Sequence, residues 1–258
     1  MAKAPLTEDL EDRLRVEFVD DARDRLQTLY NALDGLANGT RSDADVIGVF
    51  RLEANNFKGM GTSFGYPTVS LIAHRLEEYL SGVTRLDARE KVDLPVFLDR
   101  IAEVVDRAEQ PALAETNKII RALPVRYKFD VTDVEIRDVE IMLVTPSKVV
   151  AKKVGGELAA CGFRTVTVND PIESISHAVR VPPDMLIASM VMDGLSGLDL
   201  IRGLHAMSVT KNVPMALLTS MSLDNPALKE IPPGVAVIRV GEHFVNDFAA
   251  VLTRFNLG

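Results

Sequence analysis

"FRLEANNFKGMGTSFGYPTVSLIAHRLEEYL", residues 50–80, decides how the first half of this chain is read. Two helical patterns meet here across Gly65 and Pro67. Pro67 fits the first turn of a helix, where its missing N–H would have no intrahelical partner anyway. Upstream, Ser42 stands where a helix cap belongs. The helix it would start runs over residues 43–64, with Val46, Val49, Phe50, Leu52 and Phe57 as its apolar candidates. Asn55, Lys58 and Gly59 are spaced i, i+3, i+4, which puts them on one helix face. His74 and Glu77 share a face of the next helix, and antiparallel packing can bring the two faces together. A carboxamide nitrogen is delocalised into its carbonyl and is not a nucleophile. Asn55 can still exchange hydrogen bonds with Lys58, His74 or Glu77.

The surrounding sequence extends the helical reading. Leu10, Leu14, Phe18, Ala22, Leu26, Leu29, Leu33 and Leu36 recur at spacings of three and four, so a first helix is expected, ended by Gly35 and "ANG" at 37–39. A fourth is expected over residues 89–123, with Pro95 and Pro111 able to kink or interrupt it. Four amphipathic helices on short connections predict an antiparallel bundle over residues 1–123. Residues 124–138, "PVRYKFDVTDVEIRD", alternate polar and apolar, and read as a linker with a possible strand or hairpin.

From residue 139 to 258 strand and helix alternate. The strand candidates are "VEIMLVT", "RTVTV", "MLIAS", "PMALLT" and "VAVIRV", with helical stretches between them, one of them the short "SLDNPALKE". Continuous apolar strands separated by helices imply a parallel sheet covered on both faces. Five such units predict a flavodoxin-like five-stranded α/β domain.

Composition narrows the function. The net charge is −8, and residues 1–123 alone carry −6. Neither half has the basic field that nucleic acid or an anionic membrane attracts. No apolar run is long enough to cross a bilayer, and the first residues have no signal-peptide core, so a cytoplasmic location is expected. The single cysteine, Cys161, excludes an internal disulfide, and its apolar neighbours predict a buried thiol. His74 and Glu77 supply two ligands with no third in view, which does not make a metal site. "GMGTSFG" follows a helix rather than a strand, so it is not a dinucleotide fingerprint. No cofactor and no metal are expected.

The 50–80 stretch resembles the histidine phosphotransfer (Hpt) domain of bacterial two-component signalling. The family's pattern is His-x-x-Lys-Gly, then small residues and a Gly, then Ala-His-x-Leu-Glu on the next helix. Lys58, Gly59, Gly61, Gly65, Ala73, His74, Leu76 and Glu77 stand at matching places, and the phosphorylated histidine falls at Asn55. The resemblance implies a docking surface of Lys58, Gly59, Gly61, Phe64, His74 and Glu77. Residues 139–257 are similar to a response-regulator receiver domain, through "PDMLIASMVMDGLSGLDLIRGL" and "VPMALLTS". There the phosphorylated Asp falls at Ser189, the acidic metal-binding pair at Thr145 and Pro146, and the Lys after the fifth strand at Val240, beside Arg239. Thr219 alone stands, 30 residues after Ser189. The plain reading of Ser189 and Thr219 is strand-end polar residues. Asp193 lies in the loop beyond and does not replace the lost carboxylate.

The two resemblances imply a non-catalytic phosphorelay protein: a degenerate Hpt bundle fused to a degenerate receiver, or pseudo-receiver. Its expected partners are a histidine kinase, a receiver domain or an Hpt domain. Two alternatives stay open. One is an active phosphotransfer protein whose His has been replaced by Asn55 artificially. The other is a ligand-sensing α/β module with a site near Thr145, Ser189 and Thr219, where strands end at their carboxyl side.

Overall fold

Helix starts in the bundle are set by side-chain caps. Ser42 accepts from the Asp45 N–H, while Asp45 reaches back to the Ser42 backbone. Asp87 and Glu90 form the same reciprocal box. The computed structural model describes the backbone of residues 5–107, 109–126 and 137–257, with side chains from residue 13 onward. Within these, the chain forms two compact units that divide between Arg126 and Tyr127. The division lies inside the expected linker, three residues past the expected end of the bundle. Residues 124–126 are tied to the bundle: Arg126 Nε donates to buried Glu90 at 2.9 Å, and Arg89 to the Val125 carbonyl at 3.1 Å. The strand or hairpin expected in the linker falls almost wholly on residues 127–136, outside the described residues.

The first unit contains α1 (Pro5–Ala37), α2 (Asp43–Ser63), α3 (Pro67–Tyr79), α4 (Ala88–Val105) and α5 (Leu113–Arg121). Helices α1 and α3 each pack against both α2 and α4, which closes a four-helix arrangement, and α5 rests on α3. Phe18, Phe50, Phe57, Ile72, Leu76 and Phe97 fill its centre.

Four expectations are corrected here. Gly35 lies inside α1, which ends two residues later. The chain then reverses through Gly39 at φ 72°, a conformation that favours glycine. The expected fourth helix is two helices: α4 absorbs Pro95, and the break falls around Pro111. Leu52 is 60% exposed, because the buried side of α2 runs through Val46, Ile47, Phe50, Ala54 and Phe57. Leu14, at 38% exposed, likewise lies outside the core.

The second unit contains β1 (Glu140–Val144), α6 (Lys148–Ala160), β2 (Arg164–Val168), α7 (Pro171–Arg180), β3 (Met185–Ser189), α8 (Gly197–Ala206), β4 (Met215–Thr219), β5 (Ala236–Arg239) and α9 (Phe244–Phe255). "SLDNPALKE" forms only a short 3₁₀ turn at Pro226–Glu230. All strand pairs are parallel, in the order β2-β1-β3-β4-β5. Alternate side chains of each strand feed opposite faces. Ile141, Leu143 and Ile187 pack with Val154, Leu158, Phe244 and Phe248 of α6 and α9. Met142, Val144, Leu186 and Ala188 pack with Ala178, Leu198 and Ile201 of α7 and α8. The sequential order reverses at β1, so the crevice of a doubly wound sheet opens at the carboxyl ends of β1 and β3.

Cys161 is exposed, against expectation. It caps the C-terminus of α6, where Gly162 turns the chain at φ 82° and Phe163 takes the buried place.

Candidate functional site

Asn55 sits on the outer face of α2 and is exposed. Among the described residues its side chain makes no hydrogen bond, so the expected exchange with Lys58, His74 or Glu77 does not form. Lys58, one turn on, instead reaches across to α3 and donates to Glu77 Oε2 at 2.6 Å. The pair is open to water, with the two side chains 29% and 43% exposed. On the other flank, Glu53 accepts from Arg25 Nη1 at 2.7 Å and from Asn56 Nδ2 at 3.1 Å. Sequence reading passed over this second network. Its only local signal was the Glu53–Asn56 spacing, and Arg25 comes from 28 residues away.

The glycines near Asn55 do different work. Gly61 is buried where α2 meets the start of α3. A Cβ there would meet Ser70 Oγ at 2.7 Å, the Tyr66 carbonyl at 2.8 Å and the Ser70 nitrogen at 2.9 Å. The crossing is then stitched by Ser70 Oγ donating to the Lys58 carbonyl at 2.8 Å, and by Thr62 Oγ1 bonding Ser70 Oγ at 3.0 Å. Gly59 is exposed, with no neighbour within 4 Å of a built Cβ. It leaves open space beside Asn55. Gly65, at φ 82°, turns the chain between the helices. Phe64 is half-buried and stacks on Phe18 at 5.6 Å between ring centroids. His74 lies within the buried part of α3, one turn before Glu77.

In the second unit the crevice holds hydroxyls. Ser189, the last residue of β3, donates to Thr145 Oγ1 at 2.8 Å. Thr145 is fully buried just past β1. The loop beyond Ser189 is pinned by Gly197, whose N–H bonds the Met190 carbonyl at 3.1 Å. A Cβ on Gly197 would lie 2.2 Å from the Ser189 carbonyl oxygen. Thr219, at the end of β4, is buried, and its hydroxyl accepts the Met221 N–H at 3.1 Å. Pro146 is exposed and Val240 packs against the core. The cation beside Val240, Arg239, is engaged by both oxygens of Asp247 at 2.8 and 2.7 Å. These bonds hold the Asp247 carboxyl below its ordinary range. Asp193 is exposed in the β3–α8 loop.

Chemically, the two places differ from a reaction centre in the same way. Asn55 offers an amide where a neutral nitrogen lone pair would be needed. Ser189, Thr145 and Thr219 offer neutral hydroxyls where a divalent cation would need carboxylate oxygens.

Residues 13–121 match the family model of the Hpt domain. The second unit is similar in structure to the receiver domain of a sensor histidine kinase from Pseudomonas aeruginosa PAO1, at 19% identity and a TM-score of 0.42, over 46% of this chain and 98% of that one. It is similar also to the chemotaxis response regulator CheY4 of Vibrio cholerae, at 20% identity and 0.39, over 45% and 98%. A third likeness is to the receiver domain of a histidine kinase from Syntrophus aciditrophicus, at 24% and 0.40, over 45% and 89%. No curated protein is a significant match to the chain. No helix among the described residues is long and apolar enough to cross a membrane. The chain thus carries the Hpt module of two-component signalling, followed by a receiver-like α/β unit recognised by its strand order.

Proposed function

We propose, from the Hpt module over residues 13–121, that this protein binds other two-component proteins and transfers no phosphoryl group itself. Asn55 carries the reading: it is exposed at the acceptor's place, while the Lys58–Glu77 pair beside it is intact. A surface that keeps its ion pair and its open glycine can still be recognised. Without an imidazole nitrogen it has nothing to phosphorylate. The docking surface is Asn55, Lys58, Gly59, Phe64, His74 and Glu77, with Gly61 setting the distance between the two helices beneath it. Its ligand is a receiver domain or the domain of a histidine kinase that an Hpt domain would meet, and it acts as scaffold or competitor.

The receiver-like unit supports the same reading. Its hydroxyls bond to one another rather than pointing free into the crevice, and the one nearby cation, Arg239, is held by Asp247. Replacement of Asn55 alone would leave a working receiver, so an artificial change at one position does not account for Ser189, Thr145, Pro146 and Val240. A cytoplasmic place of action follows from this role.

The test is to incubate the full chain with active histidine kinases, their receivers and γ-labelled ATP. Co-elution with a partner and no label on the chain is expected. Stable label on the wild-type protein would sink the proposal. A Lys58→Glu variant is expected to lose the partner while keeping its fold.

A further inference from the structure

The receiver-like unit has six large apolar side chains that are clearly exposed, and five of them stand along one edge of the sheet. Val149, Ile172, Val191, Leu223 and Val245 each lie within six residues after the end of a strand, one for every strand of the sheet. The sixth, Val209, precedes β4 and so belongs to the opposite edge. Exposures range from 56% for Leu223 to 78% for Val149. Val149, Ile172 and Val245 occupy the second position of α6, α7 and α9, so three helix starts each present a branched apolar side chain. Single exposed apolar residues are ordinary, but their segregation to one edge is not.

The charges of that edge are one-sided. The six residues after each strand hold five acids, Asp170, Glu173, Asp193, Asp224 and Glu242, against one base, Lys148. The stretch 139–258 as a whole is nearly balanced, with 10 basic and 11 acidic residues. Arg239, at the end of β5, is neutralised by Asp247. Among the described residues, Asp193 has no side-chain partner, and Glu242 is 88% exposed. An apolar row bordered by acids is complementary to a surface that is both apolar and basic.

We propose that the carboxyl-end edge of this sheet binds a basic amphipathic helix of a partner protein. Across the edge, five strands at about 4.8 Å spacing span roughly 19 Å. A helix of about 13 residues covers that length. Its apolar face, repeating every three to four residues, would lie on Val149, Val191 and Leu223, and its Lys or Arg side chains would meet the acids. This surface is separate from the Asn55 face, and the inference stands whether or not that face binds a receiver.

The probe is a fluorescently labelled 15-residue peptide of Leu and Lys with an apolar face, titrated against the full chain and followed by anisotropy. Two control peptides have the same composition in scrambled order, or Glu in place of Lys. Saturable binding of the Lys helix is expected, at least tenfold tighter than either control and weakened by salt. Val191→Ser with Leu223→Ser, and separately Asp193→Lys with Asp224→Lys, are each expected to weaken it tenfold or more with unchanged circular dichroism and melting. Equal binding of the Glu helix overturns the proposal, as does binding that ignores both double variants, which would place the peptide on the acidic bundle. Concentration-dependent dimerisation of the wild type that is lost in Val191→Ser would assign the edge to a second copy and also overturn it.

Discussion

The place of Asn55 and the place of Ser189 have lost the same property by opposite routes. Asn55 stands exposed on a helix, and the groups around it bond each other: Lys58 to Glu77, and Asn56 to Glu53 and Arg25. The acceptor is gone and its surroundings remain. Ser189 is joined to buried Thr145, and the loop behind it is closed over Gly197. There the surroundings have been rebuilt around the missing carboxylates. A helix-surface site can lose one side chain without repacking. A crevice between strands cannot, because buried polar groups need new partners.

The comparison predicts very unequal tolerance. Gly197→Ala should cost the second unit more than about 3 kcal/mol, since a backbone carbonyl cannot yield to a methyl placed on it. Chemical denaturation of the full chain should show that unit's transition shifted or lost, with the bundle's unchanged. Gly61→Ala should cost the bundle roughly 1–3 kcal/mol, through the Tyr66 and Ser70 backbone it meets. Gly59→Ala, two residues away, should be neutral or stabilising by up to about 1 kcal/mol. Equal effects at the two glycines would break the division between packing and open surface. Ser189→Ala, which deprives Thr145 of its partner, should cost about 1 kcal/mol. Asn55→His should leave the bundle's melting unchanged within about 0.5 kcal/mol, as expected for an exposed site.

A further prediction concerns acid. Asp247 is held below its ordinary range by the Arg239 guanidinium, so its folded value lies under the unfolded one. Its contribution is therefore complete above about pH 4, the unfolded carboxyl range, and is lost as pH falls through the folded value. The second unit's melting temperature should drop on acidification below about pH 4, and less steeply in Asp247→Asn. A parallel pH profile in the variant would remove the pair from the account.

Most of the fold could be read from the sequence, because its signals are local. "RTVTV" and "MLIAS" form β2 and β3 residue for residue, since an apolar run between helices has few other uses. Ser42 and Pro67 marked the starts of α2 and α3. What escaped depends on contacts between distant residues. Leu52 fits an apolar spacing, but the buried arc of α2 is set by α1 and α3. Gly59 and Gly61 look alike in sequence, and only the crossing of α3 separates them. Cys161 has apolar neighbours, yet it ends a helix and faces water. The substitutions at Asn55 and Ser189 were legible from their positions. The bond between Ser189 and Thr145, 44 residues apart, was not.

The most direct test is to follow phosphate and binding in one mixture. The wild-type chain and Asn55→His are each incubated with an active histidine kinase, its receiver and γ-labelled ATP, then separated by size. The account predicts that the wild type co-elutes with a partner and carries no label, and that only the His variant becomes labelled. Label on the wild-type chain, or no partner for either protein, would contradict it.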